Sequence, residues 1–360
     1  MSRFVTAHLT GAPEVGPLTP EKAAPVEVDQ SQVLDVIKAA IAGDGWVLCL
    51  GHIQPDADAL GSALALAMAI RIAGGSAYVS FDPGPLAFGM PPSLDFLPGA
   101  QILLDPRHLP AQRPPAAVIT FDTGTAERLG VLAPCAEPHL EGPPVVVIDH
   151  HAQGTAFGSM RLIDAAAAAT AELIASLIDE LGVGLDEAIA TCLYAGLASD
   201  TGSFRYAATS PGSHRLAARL LEAGAEHDTI SMLLWDSRPA SYLQVLSGAL
   251  ARVQHAGEVI WTFVTCADVL AAGATPEETE GIVDMIRGSR EHEVAVVLKA
   301  DPGLGSGWWK ASVRSRGHRD VGAACAALGG GGHRLAAGFS AEGTPEQIID
   351  RLRSALSAIQ

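Results

Sequence analysis

The 360-residue sequence is poor in basic residues and in aromatic residues, and it has no long apolar run. Lys and Arg total 23 against 40 Asp and Glu, so the formal net charge is -17, which argues against tight binding along a long nucleic-acid backbone. Apolar runs stay shorter than the roughly 18 residues of a membrane span, and the N-terminus lacks a signal-peptide pattern. We therefore expect a soluble, cytoplasmic protein that binds neither membranes nor long duplex nucleic acid.

Cysteine is also sparse, and its spacing excludes a disulfide framework. The five cysteines are scattered and include no CxxC pair, which favours reduced thiols. The length and the 48% hydrophobic content are sufficient for a large core and indicate two domains.

Changes in composition along the chain predict its domain organisation. Residues 1–28 are rich in Pro, Ala and Thr without periodicity, and we expect a flexible tail there. We predict an N-terminal domain over 29–225, an amphipathic connector over 226–246 and a smaller C-terminal domain over 247–360.

The first segment with candidate functional residues is a strand followed by a polar turn and a helix. Trp46–Leu50 is a short apolar strand, and a helix is predicted from about Ala59 to Ala73, where Gly74-Gly75 ends it. The turn between them carries His52, Asp56 and Asp58. This spacing suits two adjacent cations, although Asp58 has the alternative role of capping the helix.

Two further strands are followed by similar residues. The predicted strand Ala116–Phe121 is followed by Asp122, and Val145–Ile148 is followed by Asp149-His150-His151. Because ligands collect beyond the carboxyl ends of parallel strands in an α/β sheet, we expect these side chains to lie together. Any one of these motifs alone is typical of a solvated loop.

The remaining elements of the N-terminal domain are mostly helical. Asp200 follows the last turn of a predicted helix, where it is either a turn residue or another carboxylate of the same site. A further strand is predicted over Ala77–Phe81. Helices are predicted over Gln30–Ala42, Ala165–Leu181, Asp186–Ala198 and Ser210–Gly224.

The C-terminal domain ends in a glycine-rich motif. Four glycines, Gly329–Gly332, precede His333, and their backbone amides can approach an anion closely, although a flexible surface loop is the alternative. Arg314, near the end of a strand, could bind a phosphate through two hydrogen bonds. The elements predicted here are strands Val259–Val264, Val294–Leu298 and Trp308–Val313 and the helix Glu277–Ile286.

Together these motifs resemble those of the DHH phosphoesterases. The first motif is matched by His52–Asp58, the second by Asp122, the third by Asp149-His150-His151 and the fourth by Asp200. Gly329–Gly338 and Val313-Arg314-Ser315 resemble the signature and the substrate-binding strand of a DHHA1 domain. The resemblance implies an α/β fold: an N-terminal DHH domain with a mainly parallel sheet flanked by helices, plus a smaller C-terminal α/β DHHA1 domain.

The resemblance also implies a two-metal site that activates a water to attack phosphorus. Mn²⁺ is the expected metal, two ions per site, with Mg²⁺ or another divalent ion as the alternative. The implied metal ligands are His52, Asp56, Asp58, Asp122, His150 and Asp200, with Asp122 between the two ions. The implied catalytic residues are Asp122, His151 and Asp149, and the implied substrate-binding residues are Arg314, Gly330, Gly331, Gly332 and His333.

The length and the single DHHA1 domain resemble the nanoRNase and pAp-phosphatase branch, some of whose members act on cyclic di-AMP. The expected substrates are short oligoribonucleotides, pAp, and linear or cyclic di-adenylate, and the expected assembly is a homodimer. One competing hypothesis is a nucleotide-binding regulator without turnover, which would lack metal ligands. Another is an exonuclease on longer single strands, which the negative charge opposes.

Overall fold

The computed structural model describes residues 25–84, 86–138, 142–151 and 154–359. Residues 1–24 of the expected tail lie outside this description. The tail does not extend to Val28, because Val26–Glu27 form a short strand, β1. Glu27 Oε1 also pairs with Arg161 Nη1 at 2.9 Å, so this stretch is tied to the neighbouring strand.

The N-terminal half is built on a six-stranded sheet in which every neighbouring pair is parallel. Its strands after β1 are β2 (Trp46–Leu50), β3 (Ser76–Ser80), β4 (Ala117–Phe121), β5 (Val145–Asp149) and β6 (Met160–Ile163), in the order β1-β6-β5-β4-β2-β3. The helices of this half are α1 (Gln30–Ala42), α2 (Ala57–Ile72), α3 (Thr170–Leu181), α4 (Glu187–Asp200) and α5 (Pro211–Glu222). Short 3-10 segments lie at Pro92–Leu94, Ala100–Ile102, Pro106–Ala111 and Ala126–Ala136.

The three central strands have no polar face. Every residue of β2, β4 and β5 is buried, because helices cover one side of the sheet and the segment Ala126–Ala136 covers part of the other. Strands that are covered on both faces are continuously apolar, which is why their sequences lack alternation. The predicted parallel α/β architecture is confirmed.

A connecting region leads to the second half. It contains α6 (His227–Ser231), a π-helical turn at Met232–Asp236 and α7 (Ala240–Ala251). The later elements are β7 (Gln254–Ala256), β8 (Val259–Val264), α8 (Cys266–Ala272), a 3-10 turn (Glu277–Thr279), α9 (Ile282–Ile286), β9 (Val294–Ala300), β10 (Trp308–Ser315), α10 (Val321–Ala327), β11 (Gly331–Gly332), β12 (Ala336–Glu342) and α11 (Pro345–Ala358).

The second sheet is mixed and is also covered by helices on both faces. Its order is β11-β12-β10-β9-β8-β7, and only β8 and β9 are parallel neighbours. One face packs on α10 and α11, and the other packs on α7 and α9. The expected smaller α/β unit is therefore confirmed.

Some predicted boundaries are wrong. The helix expected from Ala165 begins only at Thr170, because the amide of Thr170 donates a capping hydrogen bond to Asp58 of another helix. The helix expected over Glu277–Ile286 is broken at Gly281, whose φ is +84°. Strand β6 and the elements α8, α10, β12 and α11 were not predicted.

Within the part of the chain that the structure describes, no helix is long and apolar enough to cross a bilayer.

Glycines allow α2 and α4 to pack closely, which brings their acidic residues together. A Cβ added at Gly61 of α2 would lie 2.4 Å from the carbonyl oxygen of Cys192 in α4. A Cβ added at Gly196 of α4 would lie 2.8 Å from Asp58 Oδ1. The separation of the two helices therefore depends on the absence of side chains at these positions.

We expect Gly61→Ala to destabilise the protein by about 1–3 kcal/mol, because the new methyl group must push the backbone of α4 away. In an unconstrained helix the same change would stabilise by about 1 kcal/mol, so the sign of the effect is diagnostic. Gly184→Ala is the control, since nothing lies within 4 Å of its added Cβ. Urea unfolding measures both, and a Gly61→Ala protein as stable as wild type would contradict the packing argument.

Candidate metal centre

Six acidic and histidine side chains from separate motifs meet at one edge of the N-terminal sheet. They follow the strands β2, β4 and β5, lie at the start of α2, or end α4. The strands are parallel, so their carboxyl ends share this edge. These six side chains, all of which could bind a cation here, are His52, Asp56, Asp58, Asp122, His150 and Asp200, and Asp149 and His151 form a further group with Asp122.

These side chains form two sets that share Asp122. His52, Asp56 and Asp122 form one set, and Asp58, Asp122, His150 and Asp200 form the other, with ligand atoms within 4.8 Å of one another in each. His52 Nε2 lies 3.9 Å from Asp122 Oδ2, whereas His150 Nε2 lies 3.3 Å from Asp122 Oδ1. One carboxylate thus presents a different oxygen to each set.

Both histidines are oriented by backbone carbonyl groups. His52 Nδ1 lies 2.9 Å from the oxygen of Ile53, and His150 Nδ1 lies 3.2 Å from the oxygen of Ala167. A carbonyl only accepts hydrogen bonds, so the neutral rings carry their hydrogen on Nδ1 and present the lone pair of Nε2 to the carboxylates.

The donor atoms fit divalent cations. His52 Nε2 and His150 Nε2 are buried, and neither has a hydrogen-bond partner among the described residues. A buried polar nitrogen without a partner is unfavourable, and both atoms face carboxylate oxygens. Imidazole nitrogen with carboxylate oxygen suits Mn²⁺, and the oxygens suit Mg²⁺.

Asp58 is held by the start of α3. Its Oδ2 accepts a hydrogen bond from the amide of Thr170 at 2.6 Å, and its Oδ1 accepts one from Ala171 at 2.9 Å. The sequence left open that Asp58 caps its own helix, but Asp56 does so by accepting from Ala59 N. Asp58 instead caps α3, which has no side-chain cap of its own.

The pKa values of the buried acids are shifted in opposite directions. Burial, followed by the charges of Asp200 and Asp122, raises the pKa of Asp58 well above its ordinary value. Burial also raises the pKa of Asp200, to about 6. Burial acts on Asp122 as well, but His150 and His151 outweigh it and lower the pKa.

The histidines respond to the same charges. Burial would lower the pKa of His150, but the carboxylates of Asp122 and Asp200 outweigh this effect and raise it to about 12. In the absence of a cation this imidazole therefore holds a proton that offsets the negative charge. A cation that binds here must displace that proton.

Asp122 has an unusual backbone conformation. Its φ is +52°, in the left-handed region that a non-glycine residue rarely adopts and that is found at functional sites. Its Oδ1 accepts a hydrogen bond from Thr170 Oγ1 at 3.3 Å. Sequence reasoning missed Thr170, which lies 48 positions away and belongs to no acidic motif.

Asp149 orients His150 and His151 through hydrogen bonds to its carboxylate. Its Oδ1 accepts hydrogen bonds from the amides of His150 and His151 and lies 2.7 Å from His151 Nδ1. Asp149 is almost fully buried, and its carboxylate contributes to a raised pKa of His151, against the opposing effect of burial. His151 Nε2 is left directed away from Asp149.

The C-terminal half reaches the site through His333. The His333 ring stacks on the His151 ring, with centroids 3.9 Å apart and planes 19° from parallel. With His150 the two rings form a further group of nearby ligand atoms. Burial and the neighbouring imidazoles lower the pKa of His333 to about 4, so this ring is neutral.

Arg314 and the glycine motif lie next to His333 in the fold. Arg314 pairs with Ala336 across β10 and β12, close to the turn that carries His333. The amide of Gly330 donates to the carbonyl of Cys325, so it is not available to an anion. A Cβ at Gly330 would lie 2.1 Å from the oxygen of Gly338, so glycine is required there for packing.

Residues 46–197 match the family described as "DHH family, N-terminal domain", and residues 259–360 match the "DHHA1 domain". The chain is 34% identical over 333 residues to the bifunctional oligoribonuclease and PAP phosphatase NrnA of Thermus thermophilus, covering 90% of this chain and 94% of that protein.

Two other similarities cover different shares of the chain. The protein of the same name from Bacillus subtilis is 29% identical over 175 residues, which is 48% of this chain and 51% of that protein. The crystal structure of an exopolyphosphatase-related protein from Bacteroides fragilis superposes with a TM-score of 0.79 at 22% identity, covering 91% of this chain and 95% of that one. The latter similarity shows the fold.

We expect a divalent cation such as Mn²⁺ to raise the Tm more at about pH 8 than at about pH 5. The raised pKa values of Asp58 and Asp200 mean that protons occupy these groups at low pH and compete with the cation. Above those pKa values the ionised groups destabilise the cation-free fold, and a bound cation removes the repulsion. Thermal unfolding with and without Mn²⁺ measures this difference, and a larger shift at the lower pH would contradict it.

Proposed function

Because the chain belongs to the DHH family of phosphoesterases and carries a C-terminal DHHA1 domain, we propose that it hydrolyses short oligoribonucleotides to mononucleotides and pAp to AMP. The similarity to the Thermus thermophilus protein, which spans almost the full length of both chains, supports these substrates. Linear pApA belongs to the same class, and cyclic di-AMP is the further substrate to be assayed.

The observation that carries the proposal is the shared carboxylate of Asp122. Two sets of ligand atoms on either side of one acid match the arrangement that a two-metal hydrolase needs. His52 and Asp56 would hold one ion with Asp122, whereas Asp58, His150 and Asp200 would hold the other with it. Mn²⁺ is the proposed metal, and Mg²⁺ is the alternative.

When bound, the two ions would lower the pKa of a water and offset charge on the phosphoryl group. The protein's own residues hold the substrate around them. Asp149 fixes the His151 ring and helps to raise its pKa, so that the protonated Nε2 can donate a hydrogen bond to a phosphoryl oxygen. His333, which is neutral, can donate a hydrogen bond without adding charge.

The far end of the substrate would lie against the C-terminal half. Arg314 offers a planar set of donors that matches phosphate oxygens. Gly331 and Gly332 are exposed and present backbone without side chains beside His333. A substrate held at both ends between the two halves is short, which agrees with the net charge of -17.

We expect Asp122→Ala to reduce kcat on pAp by more than about 100-fold, beyond the loss typical of residues that only support metal ligands. Bound metal should fall as well, because both sets of ligands lose a member. The control is Asp179→Ala, which removes an exposed acid that pairs with Arg219 on the surface. Turnover by Asp122→Ala at the wild-type rate with metal present would disprove the ligand assignment.

We expect Arg314→Ala to raise KM by about 10- to 100-fold, because a charge-assisted contact with phosphate is lost while the metal ligands remain. Steady-state kinetics on pAp and on a length series of oligoribonucleotides measures this change. The same series separates the proposed activity from an exonuclease, which would prefer the longer strands.

Two expectations from the sequence remain predictions. The homodimer can be checked by light scattering of the purified protein. The cytoplasmic location can be checked by fractionating cells.

A further inference from the structure

Tyr206 and Arg287 connect the two halves of the molecule close to the metal centre. Tyr206 lies six positions after Asp200, and the Arg287 guanidinium at the end of α9 lies 4.7 Å from the centre of its ring. Gly202 also lies against the ring, because an added Cβ there would lie 2.3 Å from Tyr206 Cζ. The ring therefore contacts both the backbone just after Asp200 and a cation of the other half.

The segment that delivers Tyr206 is strained. Gly202, Ser203 and Phe204 have consecutive φ values of +55°, +55° and +63°. Thr201 holds this conformation, because its Oγ1 donates to Leu197 O at 2.6 Å and accepts from Phe204 N at 3.1 Å. For the non-glycine residues Ser203 and Phe204 this left-handed conformation persists only where surrounding contacts fix it.

On the other side, Asp284 lies between two arginines. Its Oδ1 is 3.9 Å from Arg287 Nη1 and 3.5 Å from Arg314 Nε. Arg314 Nη1 also donates to the carbonyl of Val313 at 3.2 Å. These two contacts orient the guanidinium of Arg314. Among the described residues nothing pairs with its Nη2, so the group is not held in a two-point salt bridge.

We propose that Tyr206, Arg287 and Asp284 form a positioning chain that fixes the orientation of the Arg314 guanidinium relative to the Asp200 side of the metal centre. The inference rests on the proposed function, because Arg314 is assigned there to the substrate phosphate. None of the three residues is expected to touch the substrate. Their effect is on how well Arg314 is preorganised, and so on KM.

The ordinary alternative is that these are solvated surface pairs of no consequence. Partly exposed ion pairs contribute little to stability, and Asp284 and Arg314 are 39% and 27% exposed. A loss of global stability is therefore the wrong test. Coupling between the residues and a selective effect on substrate affinity are the readouts that a mere surface pair would not change.

The experiment compares Asp284→Asn, Arg287→Gln and Tyr206→Leu with wild type on pAp and on a short oligoribonucleotide. Each should raise KM by about two- to five-fold, the size expected for one exposed cation–π contact, with a smaller change in kcat. Tyr206→Phe keeps the ring face and should rescue the effect of Tyr206→Leu. The double variant Tyr206→Leu/Arg287→Gln should be no worse than the more affected single variant.

A matched control is available on α11. Asp350 pairs with Arg353 three positions later at 3.4 Å, as Asp284 pairs with Arg287, but on an exposed surface helix. Asp350→Asn should leave KM at the wild-type value. Metal content and Tm of every variant are measured alongside, and if Tyr206→Leu does not fold, Arg287→Gln provides the same test from the other side of the contact.

The results distinguish a failure of the positioning chain from a failure of the proposed function. If Arg314→Ala leaves KM unchanged, the proposed substrate contact fails. If Arg314→Ala raises KM but the three chain variants do not, the positioning chain is overturned and the proposed function stands. Full additivity of Tyr206→Leu and Arg287→Gln would also overturn the chain, because residues of one chain must be coupled.

Discussion

Asp58 and Asp122 carry carboxylates into the interior, where an ionised group is unfavourable unless donors or positive charge surround it. The start of α3 supplies backbone donors to Asp58, and the nearby histidines take up protons next to Asp122. These responses offset only part of the negative charge. The remaining charge is what divalent cations would neutralise, so the same acids explain both the local structure and the proposed chemistry.

The packing of the N-terminal half follows from this need. Asp58 and Asp200 come together only because α2 and α4 pack without side chains at Gly61 and Gly196. The start of α3 is placed by Asp58 rather than by its own sequence, since its N-cap is Ala169. Helix contacts that look like ordinary core packing therefore determine the distances within the site.

The sequence predicted what depends on local pattern. The bounds of α1 and β2 agree with the prediction, and the acids after β2, β4 and β5 meet because parallel strands share one edge. It missed what depends on distant contacts: the amide of Thr170 that reaches Asp58 across 112 positions, and the commitment of the Gly330 amide to Cys325. Local propensity in the Ala-rich stretch before Thr170 favoured helix, but a tertiary cap decided where the helix begins.

The two halves contribute different chemistry to the candidate site. The N-terminal half supplies the carboxylates, and the C-terminal half supplies His333, whose neutral ring stacks on His151. Arg314 of the C-terminal half is the proposed phosphate contact. The stack exists only while the two halves hold this arrangement. The proposed substrate site therefore depends on residues of both halves. In the proposed site the cations would bind one end of the substrate and Arg314 the other. A ligand with anionic groups near both of its ends would therefore make favourable contacts with both. A long strand gains the same two contacts but must continue past an acidic surface, which makes its further phosphates unfavourable.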